Sequence, residues 1–170
     1  MTGCTASAQA PATPSPFADC AALQPSASPT SDNDLPDLRL ACFTGGAEVS
    51  LRALRGPAVI NLWGSYCEPC RRELPVMQRL ADVAGDRITV LGVNTFDARE
   101  AGASFAEAVG VSMPTLFDPD RRLSDALGGT AMPLTVVVDS SGRSLVHRLP
   151  LDAPKLAELV RSHTGVQVTL

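Results

Sequence analysis

The apolar positions change texture at about residue 35. Residues 5–34 scatter their few large apolar groups among Ala, Ser, Pro and Thr, which supply 21 of those 30 positions. Such a stretch buries too little apolar area to offset its ordering entropy, so 1–34 is expected to be a flexible tether and 35–170 the folded domain. From Leu35, "LPDLRLACF" and "TGGAEVSLRAL" read as two short strands about a Gly45-Gly46 turn, followed by a helical turn. The near-continuous apolar run "AVINLW" (Ala58–Trp63) predicts a strand covered on both faces. A helix is predicted from about Cys67 to Ala84, with Leu74, Met77, Leu80, Ala81 and Ala84 on one face. "RITVLGVN" predicts a second buried strand and Arg99–Val109 a second helix. A short strand at "TLF", a helical turn near Arg121–Leu127, a hairpin of "LTVVVD" and "RSLVHRL", and a helix from Asp152 or Ala153 to His163 complete the pattern. Strand–helix–strand followed by a hairpin and a helix predicts an α/β fold with a mixed central sheet flanked by helices.

Composition narrows the function classes. The net charge of −4 gives no basic footprint for nucleic acid or an anionic membrane surface. No apolar run approaches the roughly 18 residues of a membrane span, and no secretory h-region is present. Five cysteines, Cys4, Cys20, Cys42, Cys67 and Cys70, are too few and too odd in number for a disulfide scaffold.

Cys67 and Cys70 stand two residues apart where the first buried strand gives way to a helix. The helix N-terminus stabilises negative charge, which favours a thiolate at Cys67. Cys70 lies one turn further in and can resolve a mixed disulfide formed at Cys67. Pro69 is tolerated in the first turn, where no hydrogen bond is lost. Glu68 acts in the opposite sense on the thiolate and shifts the pair toward the reducing range. A structural zinc site would need four ligands, and neither His147 nor His163 stands at finger-like spacing. A purely structural staple at this junction is the remaining alternative to redox catalysis. Met132-Pro133, ahead of an apolar strand, is a candidate cis-proline, with Met113-Pro114 as its competitor. The backbone of Met132 could pair with an incoming substrate strand.

"NLWGSYCEPCRRELP" (Asn61–Pro75) resembles the active-site pattern of the extracytoplasmic thioredoxin-like proteins of the ResA and TlpA type. The resemblance covers about Leu35 to His163. It implies a thioredoxin-like fold with an added N-terminal β-hairpin and a central insert. It also implies a thiol–disulfide oxidoreductase that needs no cofactor beyond its Cys67–Cys70 disulfide and no metal. Disulfide-bearing partner proteins are implied as substrates, among them apocytochrome c during cytochrome c maturation. Electrons would come from a membrane thiol reductase of the CcdA or DsbD type. A disulfide-forming oxidase and a non-catalytic thiol-peptide-binding module are the alternative readings, and a monomer is expected. By the same resemblance, Trp63, Tyr66, Glu68, Pro69, Met132 and Pro133 flank the substrate. Asn61 stands where thioredoxins keep a buried Asp, and Asp97 in "GVNTFD" is the acidic group expected to substitute for it as proton acceptor.

The start "MTGC" resembles the end of a lipoprotein signal, which makes Cys4 the expected lipid attachment and places the protein on the outer face of the cell membrane. Cys20 and Cys42 are the candidate structural disulfide. Closing about 20 residues would remove loop entropy worth roughly 3 kcal/mol from the unfolded chain. Such a bridge persists outside a reducing cytosol.

Overall fold

The structure is a computed structural model that describes residues 15–23, 33–129 and 131–170. The expected Cys4 lipid site lies outside the described residues. One seven-stranded mixed sheet forms the centre, in the order β2-β1-β5-β4-β3-β6-β7. Its strands are β1 (Arg39–Cys42), β2 (Val49–Ser50), β3 (Ala58–Trp63), β4 (Thr89–Thr95), β5 (Thr115–Asp118), β6 (Leu134–Val138) and β7 (Ser144–His147). Helices α1 (Glu68–Ala84), α2 (Arg99–Ala108), α3 (Arg122–Ala126) and α4 (Ala153–Thr164) flank it.

The all-apolar texture of β3 has a direct structural cause. It is an interior strand, parallel to β4 on one side and antiparallel to β6 on the other, and all six of its residues are buried. Alternation sends Val59 and Trp63 to the core under α1 and α4, while Ala58, Ile60 and Leu62 enter the core on the other face. Leu74, Met77 and Leu80 of α1 are fully buried, each contributing about 1.5–3 kcal/mol by leaving water. The predicted hairpin is present as β1–β2, with Gly45 and Gly46 at φ +92° and +91° in its turn. β1 also pairs with β5, so this hairpin extends the main sheet. The crossover α2–β5 fills the place of the central insert and adds β5 parallel to β4. At the far end the Asp139 carboxylate accepts hydrogen bonds from the backbone N–H groups of Ser141 and Arg143, which closes the β6–β7 turn.

The flexible tether expected over 1–34 does not hold for residues 15–23. Phe17, Cys20 and Leu23 are buried, and the Phe17 ring lies 4.7 Å from Phe43 and 6.1 Å from Trp63. Cys20 is bridged to Cys42 at the end of β1. Phe17 joins one core and Cys20 and Leu23 the other, so the segment passes from one face of the sheet to the other. Asn33 adds a second attachment, donating to the carbonyls of Leu51, Arg52 and Leu54. The composition of the tail hid three well-spaced apolar residues that find partners only in the tertiary structure. Phe17→Ala should therefore lower the unfolding free energy by about 3 kcal/mol, read from urea denaturation. A loss below about 0.5 kcal/mol, the range of ordinary surface changes, would mean that this segment does not pack on the domain.

Candidate active site

The carboxyl end of β3 leads through Gly64, Ser65 and Tyr66 to Cys67, the N-cap of α1. The turn is tight, since a Cβ on Gly64 would stand 2.4 Å from the Tyr66 ring. Cys67 and Cys70 are joined as a disulfide with Cα atoms 5.2 Å apart, and the Cys67 sulfur accepts the Cys70 N–H at 3.2 Å. Cys67 is 7% exposed and Cys70 fully buried, so an incoming group meets the outer sulfur first. Met132 and Cys67 line one groove of about 380 Å³, to which Tyr66 and Pro69 also contribute. The Met132–Pro133 bond is cis. Among the described residues Gly56–Pro57 is the other cis bond, unforeseen in the sequence, and Met113–Pro114 is not cis.

A family model described as the AhpC/TSA family matches residues 32–143, which include the whole of this junction. The chain belongs to the AhpC/TSA family. Among its relatives is the thiol-disulfide oxidoreductase ResA of Bacillus subtilis strain 168. The two are 30% identical over 102 residues, covering 59% of this chain and 57% of ResA. A thiol:disulfide interchange protein DsbE homolog of Paracoccus denitrificans strain Pd 1222 is 34% identical over 118 residues, covering 68% of this chain and 63% of that protein. The chain thus spans about three fifths of the length of these relatives. The solved structure of MTB dsbF superposes with a TM-score of 0.69 at 26% identity, covering 75% of this chain and 98% of that one. The fold is thioredoxin-like.

In this AhpC/TSA-family chain the flanking residues divide into two groups. Tyr66 is exposed on the groove, its hydroxyl 3.5 Å from the Thr95 carbonyl oxygen. Burial and then the Asp97 charge push its phenol pKa up, while Arg121 pulls it down. Glu68 is exposed and pairs with Arg72 at 3.0 Å, one turn along α1. Trp63, expected beside the substrate, is instead fully buried under Phe17 and Phe105. The alternation of β3 aims it into the core, so it cannot touch a substrate. Asp97 accepts from Ser65 N at 2.6 Å, Ser65 Oγ at 2.8 Å and Asn94 Nδ2 at 2.9 Å. Its carboxylate thereby fixes the loop that leads into Cys67.

Sequence reasoning missed Glu73. This glutamate is 1% exposed, and its Oε1 accepts from Asn61 Nδ2 at 2.7 Å and Thr135 Oγ1 at 3.1 Å. Its Oε2 accepts the Leu151 N–H at 2.7 Å. The buried carboxyl that thioredoxins carry at the Asn61 position thus arrives here from α1, one turn after Cys70. Burial pushes its pKa up, against the opposing pull of those three hydrogen bonds. The signal was available, because continuing the Leu74/Met77 stripe back one turn brings Cys70 and Glu73 onto the buried face.

A raised pKa in the folded state means that the native protein binds this proton more tightly than the unfolded chain. The stabilisation is complete below the ordinary glutamate range and disappears as pH rises through the folded value. Urea midpoints measured from pH 4 to 8 should fall across that window in the wild type and show a weaker slope in Glu73→Gln. The variant should also lose about 1–3 kcal/mol, because one donor then faces an amide N–H. Parallel pH profiles would show that Glu73 does not titrate in that window.

Proposed function

We propose that the protein is an extracytoplasmic thiol–disulfide oxidoreductase of the ResA and DsbE type that reduces disulfides in partner proteins. The observation that carries this reading is the Cys67–Cys70 disulfide at the mouth of α1, with its outer sulfur in the Met132 groove and its inner sulfur buried. In the reduced protein the Cys67 thiolate attacks one sulfur of the partner's disulfide, forming a mixed disulfide and releasing the partner's other sulfur as a thiolate, which takes up a proton. Cys70 then passes its proton to a base and attacks the Cys67 sulfur. The Cys67–Cys70 disulfide forms, the second partner thiol leaves with a proton, and two electrons have moved to the partner. Glu73 is the base in this scheme, since it is buried with Cys70 on one face of α1 and burial raises its pKa. Asp97 positions the Ser65 loop.

The names of the relatives support exchange chemistry, and the Cys20–Cys42 bridge favours an oxidising compartment. Among the described residues no helix is long and apolar enough to cross a membrane. A lipid on Cys4, apocytochrome c as the substrate and a membrane thiol reductase of the CcdA or DsbD type as electron donor belong to the same proposal. The reduction potential of the Cys67–Cys70 pair, equilibrated in defined thiol buffers with Cys4 replaced by serine, tests the direction. A value near or below about −250 mV is expected of a reductase. A value near about −120 mV would make the protein a disulfide-forming oxidase on the same fold.

A further inference from the structure

Two non-glycine residues in the described chain have left-handed backbones, Phe96 at φ +50° and Arg121 at φ +60°. Neither residue type suits that conformation, which is uncommon for any side chain with a Cβ and rarer for a bulky one. Arg121 is also the N-cap of α3, where Ser, Thr, Asp or Asn is preferred. Phe96 is 59% exposed, which wastes a large apolar ring. Both residues break local rules, and both line the groove that holds Cys67. Such breaches collect where function requires them.

They also touch. The Arg121 Cζ lies 5.4 Å from the centre of the Phe96 ring, whose edge-on neighbour is Tyr66 at 6.3 Å. One buried residue holds the arrangement, for the backbone N–H groups of Phe96 and Arg121 both donate to the carbonyl oxygen of Asp118, at 3.1 and 3.2 Å. The Asp118 carboxylate takes the N–H groups of Arg122 and Leu123, which caps α3 and leaves the position-121 side chain without a capping task.

Among the described residues that line the groove, Arg121 is the only charged one. Its ion pair with Asp125 is long, at 3.6 Å, and that aspartate is 63% exposed. Two of the other acids nearby are engaged, Asp97 by Ser65 and Asn94 and Asp118 by the α3 backbone, while Asp120, the chain neighbour of Arg121, is exposed. A ring beneath the guanidinium occupies a face and leaves its N–H edge, apart from the 3.6 Å pair with Asp125, for a planar acceptor. We propose that Phe96 and Arg121 form a specificity subsite beside Cys67 that takes an aspartate or glutamate side chain of the partner polypeptide, close in its sequence to the target cysteine. The subsite rests on the exchange reading given above. In a chain of net charge −4, a cation at this one place selects against basic segments as well as for acidic ones.

The test uses the reduced full chain with Cys4 replaced by serine. The oxidants are synthetic peptides with a Cys-Ala-Ala-Cys disulfide, with Glu, Gln, Lys or Phe scanned through the three positions before the first cysteine. The rate of appearance of the Cys67–Cys70 disulfide is read by alkylation and mass. At one position at least, the Glu peptide should react about fivefold or more faster than the Lys peptide, with the difference shrinking as salt is added. Arg121→Glu should invert that ratio and Arg121→Gln should bring it near unity, each ratio being taken within one folded variant. Equal Glu and Lys rates at all three positions, a ratio that survives Arg121→Glu, or a Phe preference in place of the acidic one would overturn the subsite. Neutral hydroxyethyl disulfide separates the two levels. If the wild type oxidises with it yet shows no charge preference, the subsite alone fails; if no disulfide reacts, the exchange reading fails with it.

Discussion

The Glu73 carboxylate collects hydrogen bonds from β3, from β6 and from the loop before α4, and the helix that carries it begins at the two reactive cysteines. Burying a carboxylate costs several kcal/mol unless its oxygens are satisfied, and here three donors converge on it. The dependence is mutual. Without the carboxylate, the Leu151 N–H would be left buried and unpaired at about 1–3 kcal/mol, and Asn61 Nδ2 and Thr135 Oγ1 would keep their 3.1 Å bond to each other but lose their shared acceptor. One ionisable group therefore fixes how α1 sits on the sheet, and it does so one turn from Cys70. Position and proton chemistry are held by the same atoms.

Two further aspartates order the rim above this buried group. Asp97 reaches back from the end of β4 to hold Ser65, and with it the approach to Cys67. Asp118, at the end of β5, fixes Phe96 and Arg121 through its carbonyl and caps α3 through its carboxylate. The reactive groove thus lies off the carboxyl ends of three adjacent parallel strands, where an open α/β sheet places its ligands. The disulfide between Cys20 and Cys42 and the Phe17 ring close the structure behind it.

Features written in local periodicity were legible in the sequence. The buried run of β3, the α1 stripe and the order of strands and helices all follow from spacing along the chain. The Cys67–Cys70 motif and Met132-Pro133 were visible as short motifs. What escaped depends on long-range contact. A glutamate in a charged "CRREL" stretch looks solvated until Asn61 and Thr135 are brought against it. Phe17 looks like tail until Phe43 and Trp63 supply its pocket. The family resemblance places Trp63 beside the substrate, whereas strand alternation turns it inward. The left-handed backbones of Phe96 and Arg121 oppose their intrinsic preferences, so no propensity argument could reach them.

The central claim is a division of labour, with Cys67 attacking and the buried Cys70 resolving. Trapping tests it most directly. Reduced Cys70→Ser and Cys67→Ser proteins, each also lacking Cys4, would be incubated with a disulfide peptide and analysed by intact mass. The account predicts a stable mixed disulfide on Cys67 in the Cys70→Ser protein and little or none in the Cys67→Ser protein. Equal capture by both variants, or capture through Cys70 alone, would contradict it.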